Sequence, residues 1–295
     1  MQKRVYLILV ILVFSALLVL GCTQPAQQTT AATQVPTTVA SADTIRLSGN
    51  PSLGNILTDA NGMTLYVFAN DIPSSGASTC GAVGNCSTNW PVFFVSTINV
   101  SPPLTNSDFW SVTQADGTRM TTFRGWPLYH FIKDTKPGDV NGEGIIQKWF
   151  VAKPDYSVMV TSTPKLGSYL TGGSGKTLYV FGKDSAGTST CTGACLAKWL
   201  AYYSASVVAP SLLKTSDFGT VTRADGVSQS SYMGMPLYYY SGDTAPGMTT
   251  GEGFNNIWYV ANITGIVPIV TPQSTTVATT IQTLSPSGGG YGGGY

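Results

Sequence analysis

The chain has 295 residues, 43% hydrophobic and only 10% charged, against about 25% charged in an average soluble protein. Fifteen Lys and Arg stand against fourteen Asp and Glu, a net charge of +1, so there is no basic footprint for nucleic acid. The chain's single histidine excludes His-rich metal sites and catalysis by several histidines.

In chain order, Met1-Gln-Lys3-Arg4 is a short positive start, followed by an apolar run from Val5 to Leu20. That run is short for a membrane span, which needs about 20 residues, and suits the core of an export signal. It ends Leu18-Val-Leu20-Gly21-Cys22, which resembles the lipobox of lipoproteins. Residues 1–21 are expected to be removed, leaving Cys22 as a lipid-bearing N-terminus. Without Lys3 and Arg4 the balance is 13 against 14, a mature charge of −1. The expected location is extracytoplasmic, with the membrane as one partner through the lipid. Residues 22–42 are rich in Thr, Ala and Gln without any charge, and read as a linker reaching roughly 25 Å as a coil. Residues 266–295 are Ser/Thr-rich, end in a Gly/Tyr pattern, and read as a flexible tail.

The body between them repeats itself. Thr64-Leu65-Tyr66-Val67-Phe68 matches Thr177-Leu178-Tyr179-Val180-Phe181, an offset of 113, and Gly142-Glu143-Gly144 matches Gly251-Glu252-Gly253, an offset of 109. Two units follow, 43–155 and 156–265. A weaker half-period lies inside each, because Gly62 to Phe68 resembles Gly125 to Phe131. Four copies of Leu-Tyr-x-aromatic-x-x-Asp result: Tyr66/Phe68/Asp71, Tyr129/Phe131/Asp134, Tyr179/Phe181/Asp184 and Tyr238/Tyr240/Asp243.

Alternation in Ile45-Arg-Leu47 and Val158-Met-Val160 predicts strands. Asn61-Gly62, Asp116-Gly117 and Asp225-Gly226 predict hairpin turns. One short helix per unit is expected, at Cys86–Trp90 and Cys195–Trp199. The fold class is all-β, as two tandem antiparallel domains, each a sandwich or small barrel; the alternative is one four-bladed propeller-like ring built from the half-units.

The fourfold Tyr-x-aromatic-x-x-Asp pattern resembles the secreted-repeat lipoproteins described by a Yx(FWY)xxD motif. The resemblance extends to Ser189-Thr-Cys191-Thr-Gly-Ala-Cys195 and Thr244-Ala-Pro-Gly247 and covers about residues 43–265. It implies no particular activity, and favours two domains over a ring. Physically, Tyr and the aromatic two residues on share one strand face. The Asp falls where the strand ends and can bond the backbone of the following turn. The competing role is an aromatic groove rimmed by carboxylates, suited to a sugar or a cation.

Setting Cys22 aside, four cysteines remain, an even number for an exported chain. Of three possible pairings, the duplication selects Cys80–Cys86 and Cys191–Cys195. Gly172 to Thr177 imitates a phosphate loop but reads as a hairpin turn. Asp139-Val-Asn141-Gly-Glu143 has spaced oxygen ligands but reads as a polar loop. His130 lies on the strand face opposite Tyr129 and Phe131, where the other unit has Tyr239. No catalytic or metal residue and no cofactor is assigned. The leading function is a non-catalytic, lipid-anchored surface module for an envelope polymer or surface protein. The alternatives are an envelope polysaccharide hydrolase and a redox or metal accessory protein.

Overall fold

A computed structural model describes residues 43–80 and 85–265. The leader, Cys22, the linker and the tail lie outside the described residues.

Unit 1 opens with a hairpin, β1 (Ile45–Asn50) against β2 (Gly54–Asp59), in register from Ile45↔Asp59 to Asn50↔Gly54. The Asn61-Gly62 turn ends β2. Gly62 holds φ +82°, a conformation that glycine adopts without steric cost. The chain then runs through β3 (Tyr66–Phe68) and the single-turn α1 (Cys86–Asn89) to a second hairpin, β4 (Phe109–Thr113) and β5 (Arg119–Phe123). A tight turn at Arg124-Gly125 leads to β6 (Trp126–Pro127), and β7 (Trp149–Val151) closes the unit. β7 pairs back with β3, Phe68 opposite Trp149.

Unit 2 repeats this order. β8 (Val158–Thr163) and β9 (Gly167–Gly172) form its first hairpin, followed by β10 (Tyr179–Phe181) and α2 (Ala194–Lys198). Then come β11 (Trp199–Ala201), the hairpin β12 (Phe218–Thr222) and β13 (Ser228–Tyr232), β14 (Met235–Pro236), β15 (Tyr238–Tyr240) and β16 (Trp258–Val260). β10 pairs with both β15 and β16, and Phe181 faces Trp258 as Phe68 faces Trp149. The counterparts of β11 and β15 in unit 1 are bridges from Tyr129 to Tyr66 and to Val92. The expected helices are present as α1 and α2.

The sheets are small, antiparallel and open, with two to four strands each. A propeller would fold each half-unit into its own blade. Instead, β3 from the first half of unit 1 pairs with β7 from the second half, so the halves interlock.

Each unit has a mixed aliphatic and aromatic core under its hairpins and a separate aromatic core around its motif residues. The two units touch. Tyr156 and Met159 of unit 2 are buried in the core under the hairpins of unit 1, where Val208 and Leu212 also pack. The Ser162 amide donates to the Ala69 carbonyl at 2.8 Å, and Lys148 Nζ donates to Ser168 Oγ at 2.7 Å.

Candidate functional site

The four tyrosines of the motif are fully buried, and a buried phenol needs a partner. Each finds it in the other half of its own unit. The Tyr66 hydroxyl donates to Asp134 Oδ2 at 2.7 Å, and the Tyr129 hydroxyl donates to Asp71 Oδ2 at 2.7 Å. In unit 2, Tyr179 donates to Asp243 and Tyr238 to Asp184, both at 2.6 Å. The two halves of each unit therefore exchange Tyr–Asp bonds. The second oxygen of each Asp accepts from the loop after its strand. Asp71 takes the Thr79 amide at 2.7 Å, Asp134 the Asn141 amide at 3.0 Å, Asp184 the Thr190 amide at 2.7 Å and Asp243 the Thr250 amide at 3.0 Å.

Burial raises the Tyr66, Tyr129, Tyr179 and Tyr238 hydroxyls well above their ordinary range, and the neighbouring carboxylates push the same way. Burial also pushes Asp71 up to about 6, against the bonds from Tyr129 and Thr79. Asp134 is raised for the same first reason, with Tyr66 and Asn141 opposing.

The motif's second aromatic lies in a four-ring stack. Phe68 stacks on Trp149 at 4.3 Å, Trp149 on Trp90 at 3.7 Å, and Trp90 on Phe131 at 4.2 Å. Unit 2 stacks Phe181 on Trp258 at 4.2 Å, Trp258 on Trp199 at 3.7 Å, and Trp199 against Tyr240 at 4.4 Å. The two tryptophans at the centre of each stack are parallel within 1°.

The repeated Gly-Glu-Gly closes this arrangement. A Cβ on Gly142 would lie 2.7 Å from Trp90 and 2.8 Å from Tyr66, so the rings require glycine there, and its amide donates to the Tyr66 hydroxyl at 3.2 Å. Glu143 Oε2 accepts the Val151 amide at 2.7 Å. Gly144 sits at φ +73°, which favours glycine. Gly251, Glu252 and Gly253 repeat all three contacts.

The disulfides are Cys80–Cys86 and Cys191–Cys195, with Cα atoms 5.3 and 5.4 Å apart. Each bridges the loop before the short helix that leads into the stacked Trp90 or Trp199. In unit 2 a buried Arg223 supports that loop, donating to Ser189 Oγ, Gln229 Oε1 and the Cys191 carbonyl. Unit 1 has Gln114 there, accepting the Ser78 amide at 3.0 Å.

The remaining candidates fall into place. Gly172 to Thr177 is a turn, with the Gly175 amide donating to Gly172 O and Thr177 Oγ1 bonding Met248 O. Asp139 Oδ2 accepts the amides of Thr135 and Lys136, so Asp139 and Glu143 both use oxygens on backbone amides. His130, one-third exposed, faces Asp59 with Nε2 3.4 Å from Oδ2. Burial lowers the imidazole's pKa, opposed by Asp59.

Trp149, Trp258, Glu143 and Glu252 are the structural partners that the motif alone does not mark. The signal for the tryptophans was the half-period, since Trp90 and Trp149 close equivalent halves, as do Trp199 and Trp258; for the glutamates it was the repeated Gly-Glu-Gly.

Two units of open antiparallel sheets, each with interlocked halves, define an all-β repeat protein. Sequence comparison gives the family: the chain matches the secreted repeat of unknown function over residues 48–93, 111–153, 160–202 and 219–262. These matches cover more than half of the chain, and it belongs to that family. Each match spans one half-unit, so the half-period is the family's own repeat. No curated protein and no solved structure matches the chain significantly. The secreted-repeat description puts the body outside the cytoplasm. Among the described residues no helix is long and apolar enough to cross a membrane.

Proposed function

We propose that this chain is a lipid-anchored, non-catalytic surface module, tethered through Cys22 and the 22–42 linker, whose two-unit body presents a binding surface to an envelope polymer or a surface protein. One observation carries the reading. The four Tyr-aromatic-Asp sets are spent on each other: hydroxyl meets carboxylate across the halves, and ring lies on ring. A residue set consumed by internal bonds builds a frame. A glycosidase needs two carboxyl groups facing a shared substrate across a gap of about 5–9.5 Å, and the motif carboxylates are instead turned onto tyrosines and loop amides.

The test has two arms. Wild-type chain should fractionate with membranes and carry lipid label, while Cys22→Ser should be released or remain as precursor. Unchanged processing and labelling of Cys22→Ser would remove the anchor. Purified protein incubated with cell-wall polysaccharide should release no new reducing ends; steady release, lost on Asp134→Asn in protein that is still folded, would make it a hydrolase.

A further inference from the structure

Unit 1 is covered at one end by unit 2. Tyr156 and Met159 enter its hairpin core, and with Gly173 they stand over Val67, Phe123, Trp126 and Ala152. Leu212 packs on the same core and borders a crevice with Phe150. The repeat gives unit 2 the same end. The offset of 109 that carries Trp149 to Trp258 also carries Phe109 to Phe218, Trp126 to Met235 and Phe150 to Tyr259.

The two ends are sealed to different degrees. Phe109, Trp126 and Phe150 are 4%, 2% and 0% exposed. Phe218, Met235 and Tyr259 pack against the unit 2 core but are only half-buried. The sequence offers a cover in the matching place. Behind β7 the chain continues as Tyr156-Ser157-Val158-Met159-Val160, and behind β16 as Ile266-Val267-Pro268-Ile269-Val270. Val267 and Ile269 keep the alternation of Val158 and Val160 at the offset of 109. Residues 266–270 lie outside the described residues, carry no charge and hold four aliphatic side chains.

We propose that residues 266–270 fold back over this end of unit 2 and cover Phe218, Met235 and Tyr259, as Tyr156 and Met159 cover the end of unit 1. Removing those apolar surfaces from water drives the contact. A second copy is poorly suited to the same place. Its matching segment is Asp43 to Leu47, with Asp43 and Arg46 where unit 2 has Tyr156 and Met159. Arg46 is exposed in unit 1, and burying an unpaired charge is costly. This end of the body is therefore closed from within the chain and is no docking face for a partner.

The test uses the full chain in detergent. In wild type, amides of residues 266–270 should exchange with deuterium about tenfold or more slowly than those of residues 275–280, corrected for sequence. Two methionines report on the cover itself. Met233 is 47% exposed and serves as the reference beside Met235. Hydrogen peroxide should oxidise Met235 more slowly than Met233, since oxidation follows exposure. Ile266→Asp with Ile269→Asp should raise the Met235 rate roughly threefold or more and leave Met233 unchanged. Equal exchange in the two wild-type segments would overturn the cover, and that result does not depend on any variant. So would a folded double variant in which Met235 stays as protected as before. Protection of Met235 that grows with protein concentration, in step with a dimeric mass, would give the place to a second copy and overturn it too.

Discussion

The two units agree closely in their aromatic cores and diverge elsewhere. The central Trp pair is 3.7 Å apart in both, and the Tyr66–Asp134 and Tyr179–Asp243 bonds differ by only 0.1 Å. Outside that frame, unit 2 has a buried Arg223 where unit 1 has Gln114. Tyr239 over Gly172 stands against His130 facing Asp59. The left-handed pair Asn255-Asn256 stands against Ile146-Gln147, at φ +53° and +57° against +47° and +57°. The duplication has kept what holds each unit together. It has let the surface, and the way each unit compensates its buried charge, drift apart.

If the frame is shared, removing its centre should damage both units alike. Trp149→Ala and Trp258→Ala should each cost about 3–5 kcal/mol, read as loss of the cooperative thermal transition or a large fall in its midpoint. A large loss from one and none from the other would break the equivalence.

The next effect concerns Asp71 of unit 1. Burial pushes Asp71 up to about 6 from an ordinary 3.8. Its proton is held more tightly in the folded state, so this group favours folding most below about pH 4. That contribution is lost as pH rises through 6, a difference on the order of 3 kcal/mol. Unfolding in denaturant at pH 4.5 and pH 7 should show the slope, and Asp71→Asn should flatten it. A variant whose pH dependence equals the wild type would assign the slope elsewhere.

Tyr66→Phe and Tyr179→Phe delete one exchanged bond per unit while keeping the ring. Each should cost about 1.5–3 kcal/mol, the range for a hydrogen bond to a charged group. The smallest expected effect has the opposite sign. A β-branched residue in left-handed backbone is strained by roughly 1–2 kcal/mol, and Asn tolerates that region. Ile146→Asn should therefore stabilise the protein by about 1 kcal/mol, seen as a midpoint a few degrees higher. A lower midpoint would mean that the 72%-exposed Ile146 side chain makes a contribution its exposure hides.

Local features were legible in the sequence. The two short helices, the disulfide pairs and the Asn-Gly and Asp-Gly turns rest on residues close together in the chain, and the duplication and half-period on direct likeness between segments. The Asp of the motif was expected to bond the backbone after its strand, and its Oδ1 does so. The destination of the other oxygen was not legible, because Tyr66 reaches Asp134 across 68 residues and Tyr129 reaches Asp71 across 58. No spacing rule acts at that range. The turn at Arg124-Gly125, φ +48° and +88°, was missed for a different reason. Its left-handed first position carries neither Asn, Asp nor Gly, and the same holds for Met233 before Gly234. The pairing of His130 with Asp59 was hidden likewise, since strand periodicity gives the histidine its face but not its neighbour.

The exchange of Tyr–Asp bonds also fixes the arithmetic of the fold. Each family repeat carries one phenol and one carboxylate that cannot meet each other and are satisfied by the repeat beside it. A chain with an even number of repeats closes its own account, as this one does with four. A chain with an odd number would keep one buried tyrosine and one buried aspartate without partners. It could complete them by borrowing the missing half from a second molecule. Gain or loss of a single repeat therefore leaves one Tyr–Asp exchange open, whereas gain or loss of a pair leaves the exchange complete.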